Sequence, residues 1–195
     1  MSKKPEVFIS VDIETAGPIV SEHSMMTIGA CLVFEPEVNF SIMIKPISEM
    51  FIPGALEVTG LTLEQTEEEG VTPVEAMTKF STWINSNVPK DCRPVFVGLN
   101  APFDWSFINY YFLKYIEHNP FGISAIDIKA VFMGATGCSW YDTKSSSIDR
   151  MVAPSLEGNH DALADAKYQA ELFRLVYTLS ESKGRSLESN VSVER

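Results

Sequence analysis

Apolar positions along this chain follow two rhythms, and the switches between them outline a fold. Val7 to Ile13 is rich in β-branched and apolar residues and reads as a central strand buried on both faces. Met25 to Phe34 and Val38 to Lys45 read as two further strands, joined through Glu35, Pro36 and Glu37 as a hairpin. Between Thr72 and Val88 the period lengthens: Val74, Met77, Phe80, Trp83 and Ile84 share a helical face, and Pro73 suits a first turn. Pro94 to Leu99 is another strand, after which Asn100 is expected to cap, and Pro102 to open, a helix reaching about Ile116. Ile123 to Ile128 reads as a short strand, Gly134 to Asn159 as mostly loop, and Ala162 to Leu179 as the clearest helix. Three strands followed by alternating helices and strands predict one α/β domain over residues 1–180, a mixed sheet with its first strand central and helices on both faces. Residues 181–195 read as a polar tail.

Composition narrows the chemistry. With 195 residues, 45% of them apolar, the chain can bury one substantial core. A formal charge of −11 argues against a broad basic surface that grips duplex phosphate. If the substrate is a polyanion, local cations must supply the attraction, which points to bound metal and a few well-placed basic side chains. Cys31, Cys92 and Cys138 lack zinc-site spacing, and Cys31 sits in an apolar run as a reduced, buried thiol would. The apolar stretch near the amino terminus is too short for a signal segment and is broken by Asp12, and no window approaches a membrane span. A cytoplasmic location is expected.

The acidic residues carry the candidate chemistry. Asp12 and Glu14 stand two apart at the end of the first strand, so strand alternation turns both carboxylates to one face. Two such charges repel by roughly 4 kcal/mol at about 4 Å in an effective dielectric near 20, a conflict that a divalent cation removes. Taken alone, a D-x-E at a strand end more often simply faces water. Asp104 falls in the first turn of the helix after Leu99, where the helix dipole favours an acid and where α/β proteins gather ligand sites at the sheet edge. Phe103, Phe107, Ile108 and Tyr111 follow; core packing explains most of them, although aromatics here could also stack on bases. Asp165 shares a helical stripe with Gln169, Leu172 and Val176, opposite Lys167, Glu171, Arg174 and Thr178. It therefore borders the apolar face, and needs a cation or hydrogen-bond donors. His160 lies too far round a helix to share a face with Asp165, so it must converge from the preceding loop. There an imidazole suits a base that deprotonates water.

These residues occur in three segments, VDIETAG, GLNAPFDWSF and NHDALADA, whose order and separation resemble the three motifs of the DEDD exonucleases of the ribonuclease-H-like fold, in the branch with histidine in its third motif. The resemblance spans most of residues 7–179. It implies a five-stranded mixed sheet and 3′-to-5′ removal of nucleotides from single-stranded DNA or RNA. It also implies two divalent ions, Mg²⁺ or Mn²⁺, about 4 Å apart at the scissile phosphate. On that resemblance Asp12 would bridge both ions, Glu14 and Asp165 would serve the water-bearing ion, Asp104 the other, and His160 would take the proton from water. LEVTGLT resembles the loop in which Leu61 would wedge against the terminal bases, and Thr15, Asn100, Phe103 and Phe107 would complete the substrate contacts. A homodimer is the expected assembly. Three rivals stand beside this reading: a catalytically silent interaction module on the same fold, which would have lost an acid or the histidine; an endonuclease of the same broader fold, which would lack the His160 to Asp165 pairing; and a phosphodiesterase of short oligonucleotides or cyclic nucleotides with the same chemistry, separable only by substrate profiling.

Overall fold

The computed structural model describes residues 4–191, with side chains through Leu179. Five strands, β1 (Glu6–Thr15), β2 (Met25–Leu32), β3 (Glu35–Met43), β4 (Arg93–Gly98) and β5 (Ala125–Asp127), form one sheet in the order β3-β2-β1-β4-β5. The first three run antiparallel as a meander, while β4 and β5 add in parallel to β1, so the mixed sheet and its central first strand stand as expected. The alternation of β1 divides the molecule. Ile9, Val11 and Ile13 join the core beneath α3 (Pro73–Asn87) and α4 (Pro102–Ile116). Phe8 packs on the other face with Phe173 and Val176 of α7 (Ala162–Val191). Asp12 and Glu14 share the parity of Phe8, so the sheet turns them toward the start of α7.

Gly29 on β2 permits the closest approach between these layers. A Cβ there would stand 2.1 Å from the Ala162 carbonyl, so only a residue without a side chain lets the first turn of α7 rest on the sheet. Two short helices, α1 (Pro53–Thr59) and α2 (Leu63–Glu69), follow β3, and Thr59 and Leu61 face the same cleft as Glu14 and Ala162. The Ile52 amide donates to the Ala16 carbonyl at 2.8 Å, holding α1 beside the end of β1. Among the described residues no helix is long and apolar enough to cross a membrane.

Several boundaries differ from the expectation. The hairpin turn is Val33–Phe34, with Leu32 paired to Glu35 and Cys31 to Asn39, so the irregular register at Cys31/Leu32 absorbs Pro36, Glu37 and Val38. Glu35, Pro36 and Glu37 belong to β3, because an edge strand tolerates proline and is protected by charge. Asn100 does not cap α4: its backbone is left-handed at φ 65°, and Ala101 occupies the cap position. The stretch 134–159 contains the end of α5 (Ile128–Thr136), a single 3₁₀ turn at Trp140–Asp142 and α6 (Ser145–Val152). Serines open α6 and only Ile148 is buried on it, so it leaves little hydrophobic periodicity to read. Helix α7 continues past Leu179 to Val191, since propagating a formed helix needs no apolar stripe; residues 192–195 lie outside the described part.

Candidate active site

The C-terminal end of β1, the first turn of α4 and the first turns of α7 converge on one cleft. Asp12, Glu14 and Asp104 are brought together there, and the charge of Asp165 reaches both Asp12 and Glu14. A ligand atom from each of Glu14, His160 and Asp165 lies within 4.8 Å of the others. Asp104 is buried in the first turn of α4, and its Oδ1 accepts the Ile13 amide at 3.3 Å, which ties motif-two acid to motif-one strand.

Withdrawal from water, and the acids' mutual repulsion, set the electrostatics. Burial, followed by the charges of Asp104, Glu14 and Asp165, holds the Asp12 carboxyl well above the usual range. Burial and then Asp165 and Asp104 push Glu14 up to about 8. Burial raises Asp104 to about 7 against the pull of its backbone donors. Among the described residues the salt bridges involve none of these acids, so no lysine or arginine offsets the charge. A cluster of hard oxygen donors without a basic partner fits a divalent cation such as Mg²⁺ or Mn²⁺.

The loop before α7 is held by carboxylates of that helix. Glu171 accepts the Ser155 and Leu156 amides at 3.0 and 2.9 Å, and Asp165 accepts the Asn159 and His160 amides at 2.7 and 3.1 Å. Asp161 then caps α7 by accepting the Ala164 amide. His160 thus emerges, with φ 63°, from a backbone anchored on Asp165 itself, which explains how a residue outside the helix reaches the same cleft. Asp165 thus accepts backbone donors while also lining the cleft with Asp12.

Gln169 is the cleft residue that sequence reasoning left unassigned. Only 4% exposed, it accepts the Leu99 amide at 2.8 Å through Oε1 and donates from Nε2 to Asp12 Oδ1 at 2.5 Å. One amide therefore links the end of β4, α7 and the central acid. Its position on the apolar stripe with Asp165 was the signal: a polar side chain on a buried face needs partners.

The remaining candidates separate. Leu61 lines the cleft with Glu14, His160 and Asp161. Asn100 lies at the β4–α4 turn, where its amide donates to Asp127 and its Oδ1 accepts from Lys129. Phe103 is partly exposed over Phe107, with ring centroids 5.5 Å apart. Phe107 is fully buried in the core, so direct stacking of a base on it, as the resemblance implied, is corrected: Phe103 covers it. Thr15 is also buried, at the bulged end of β1.

Comparison with known proteins follows the same outline. The exonuclease family model matches residues 9–173. The 3′-5′ DNA exonuclease Cap18 of Escherichia coli is 57% identical over 183 residues, covering 94% of this chain and 98% of that protein. Among solved structures, the nuclease domain of 3′hExo, a DEDDh family member bound to rAMP, superposes with a TM-score of 0.74 at 16% identity, over 91% of this chain and 95% of that one. E. coli Exonuclease I in complex with a dT13 oligonucleotide gives 0.71 at 19% identity; the match covers 93% of this chain but only 43% of that longer one. The low identities of the two structures speak for the fold, whereas the family model and the close relative reach the motifs themselves, and on these grounds the chain belongs to the DEDDh exonuclease family.

Proposed function

We propose that this protein removes nucleotides one at a time from the 3′ end of single-stranded DNA by metal-assisted hydrolysis. The observation that carries the proposal is the meeting of Glu14, His160 and Asp165 ligand atoms within 4.8 Å, in a cleft shared with Asp12 and Asp104. DNA as substrate rests on the 57% identity to a 3′-5′ DNA exonuclease.

Asp12, Glu14, Asp104 and Asp165 are the residues that would hold two divalent ions, which supply Lewis-acid charge to the phosphate and lower the pKa of water. The protein's own groups do the rest. His160, exposed at the mouth of the cleft, takes the proton from the attacking water through a ring nitrogen. Asp165 keeps that imidazole in place through the loop amides it accepts. The Gln169 amide fixes the orientation of Asp12. Leu61 and Phe103 supply apolar surface for the terminal nucleotide, and the Asn100 turn supports it.

The test uses 5′-labelled single-stranded DNA, RNA and duplexes with Mg²⁺, Mn²⁺ or chelator. A ladder shortening from the 3′ end, lost with chelator and with Asp12→Ala, is expected. Internal fragments, or cleavage of circular DNA, would overturn the exonuclease assignment. His160→Ala should lose most of its rate while keeping its metal-induced thermal shift; unchanged turnover near neutral pH would remove histidine from the mechanism.

A further inference from the structure

We propose that the turn around Trp140 and Tyr141, with Lys129 and Lys144, is a stacking platform for the nucleotides of single-stranded DNA that lie on the 5′ side of the scissile bond. The proposal rests on the exonuclease reading and assigns a role to a segment that lies outside the three motifs. The Lys129 ammonium stands 4.6 Å from the Trp140 ring centre and the Lys144 ammonium 4.1 Å from that of Tyr141. Both rings stay largely in solvent, 53% and 74% exposed, so each keeps open surface on which a base can lie.

Large aromatic side chains left in water on a short segment need an account, and here the backbone beneath them is tightly fixed. Thr143 is fully buried and donates to the Trp140 carbonyl at 2.7 Å, while the Ser139 hydroxyl donates to Asp142 at 2.6 Å. The rings are therefore displayed by a preorganised turn, which lowers the ordering cost of binding. Alternating aromatic faces and cations is what an unpaired strand requires, since every base has a flat face and every linkage a negative charge. On a chain of formal charge −11, such attraction has to be concentrated locally.

Continuity with the cleft sets the direction. His160 lines both mouths: one with Glu14 and Leu61, the other with Asp12, Leu99, Ser145 and Asp165. If the terminal nucleotide lies against Leu61, the rest of the strand leaves by the second mouth. Ser145 on that mouth directly follows Lys144, and Lys129 donates to Asn100 Oδ1 at 3.4 Å, beside Leu99. The platform stands where the strand emerges.

The double variant Trp140→Ala/Tyr141→Ala tests this in the full chain with Mg²⁺, using a 16-nucleotide oligo(dT) and the nitrophenyl ester of thymidine 5′-monophosphate, which reaches only the cleft. The KM for the oligonucleotide should rise at least about tenfold with kcat within about twofold, ester hydrolysis should be unchanged, and Trp140→Phe/Tyr141→Phe should restore most of the loss. Unaltered KM for the oligonucleotide overturns the platform and leaves the patch to some other partner. Loss of ester hydrolysis overturns it too, because the rings would then be supporting the cleft. Should the wild-type protein hydrolyse neither substrate, the exonuclease reading fails separately. Anisotropy of labelled oligo(dT) then decides: binding weakened by the ring substitutions upholds the platform, and equal binding by both proteins overturns it.

Discussion

Replacing Glu14 by glutamine in the metal-free protein removes one charge and almost no volume. Burial and the neighbouring acids raise this carboxyl from its ordinary 4.5 to about 8. Because the folded pKa lies above the unfolded one, the native state holds a proton that the unfolded state has released between those values. The native protein therefore loses stability as pH rises from about 4.5 to 8, the opposite of a salt-bridged acid. At pH 7 the cost of the elevated pKa is about 3 kcal/mol, at about 1.4 kcal/mol per unit over the interval above 4.5. Water and salt entering the open cleft relax part of this, leaving about 2 kcal/mol, which corresponds to roughly 4–8 °C in melting temperature for a chain of this size. Thermal melts in chelator from pH 5 to 8.5 should show wild type falling relative to Glu14→Gln, with the variant the more stable at pH 8. Magnesium should then raise the wild-type midpoint and leave the variant nearly unmoved. Parallel pH profiles in chelator, or a variant less stable than wild type at pH 8, would refute the idea that these acids are in conflict until a cation neutralises them.

Other substitutions probe the supports of the cleft. Gly29→Ala sets a methyl group against the Ala162 backbone at 2.1 Å, so it should cost about 1–3 kcal/mol in chemical denaturation and reduce activity further, since His160 and Asp165 ride on that end of α7. Gln169→Leu leaves the half-buried Leu99 amide unpaired and frees Asp12; a loss of about 1–3 kcal/mol is expected, together with a fall in kcat greater than any rise in KM. Glu171→Ala releases the Ser155 and Leu156 amides, and faster hydrogen exchange at 155–160 with lowered kcat should follow; unchanged exchange there would show that Asp165 alone secures the loop.

Much of the architecture was legible in local pattern. The strand Val7 to Ile13, the Thr72 to Val88 helix and the stripe of α7 all bury a continuous face, and burial writes its period into the residues. The hairpin misled because Glu-Pro-Glu has the composition of a turn, whereas an edge strand accepts the same residues; the choice rests on what lies beside the strand. Asn100 misled similarly, since its preference for caps and for left-handed backbone are both local, and its neighbours Asp127 and Lys129 selected the second.

The candidate site divides along the same line. Residue type and spacing named Asp12, Glu14, Asp104, His160 and Asp165, because the chemistry of hard-cation binding and proton transfer is written in side-chain identity. What no local stretch contains is the relation between stretches: that Gln169 joins Asp12 to Leu99, and that Gly29 admits Ala162. Those contacts cross distant parts of the chain. They exist only once the sheet and α7 pack, when excluded volume and the need to pair every buried polar group leave few arrangements open.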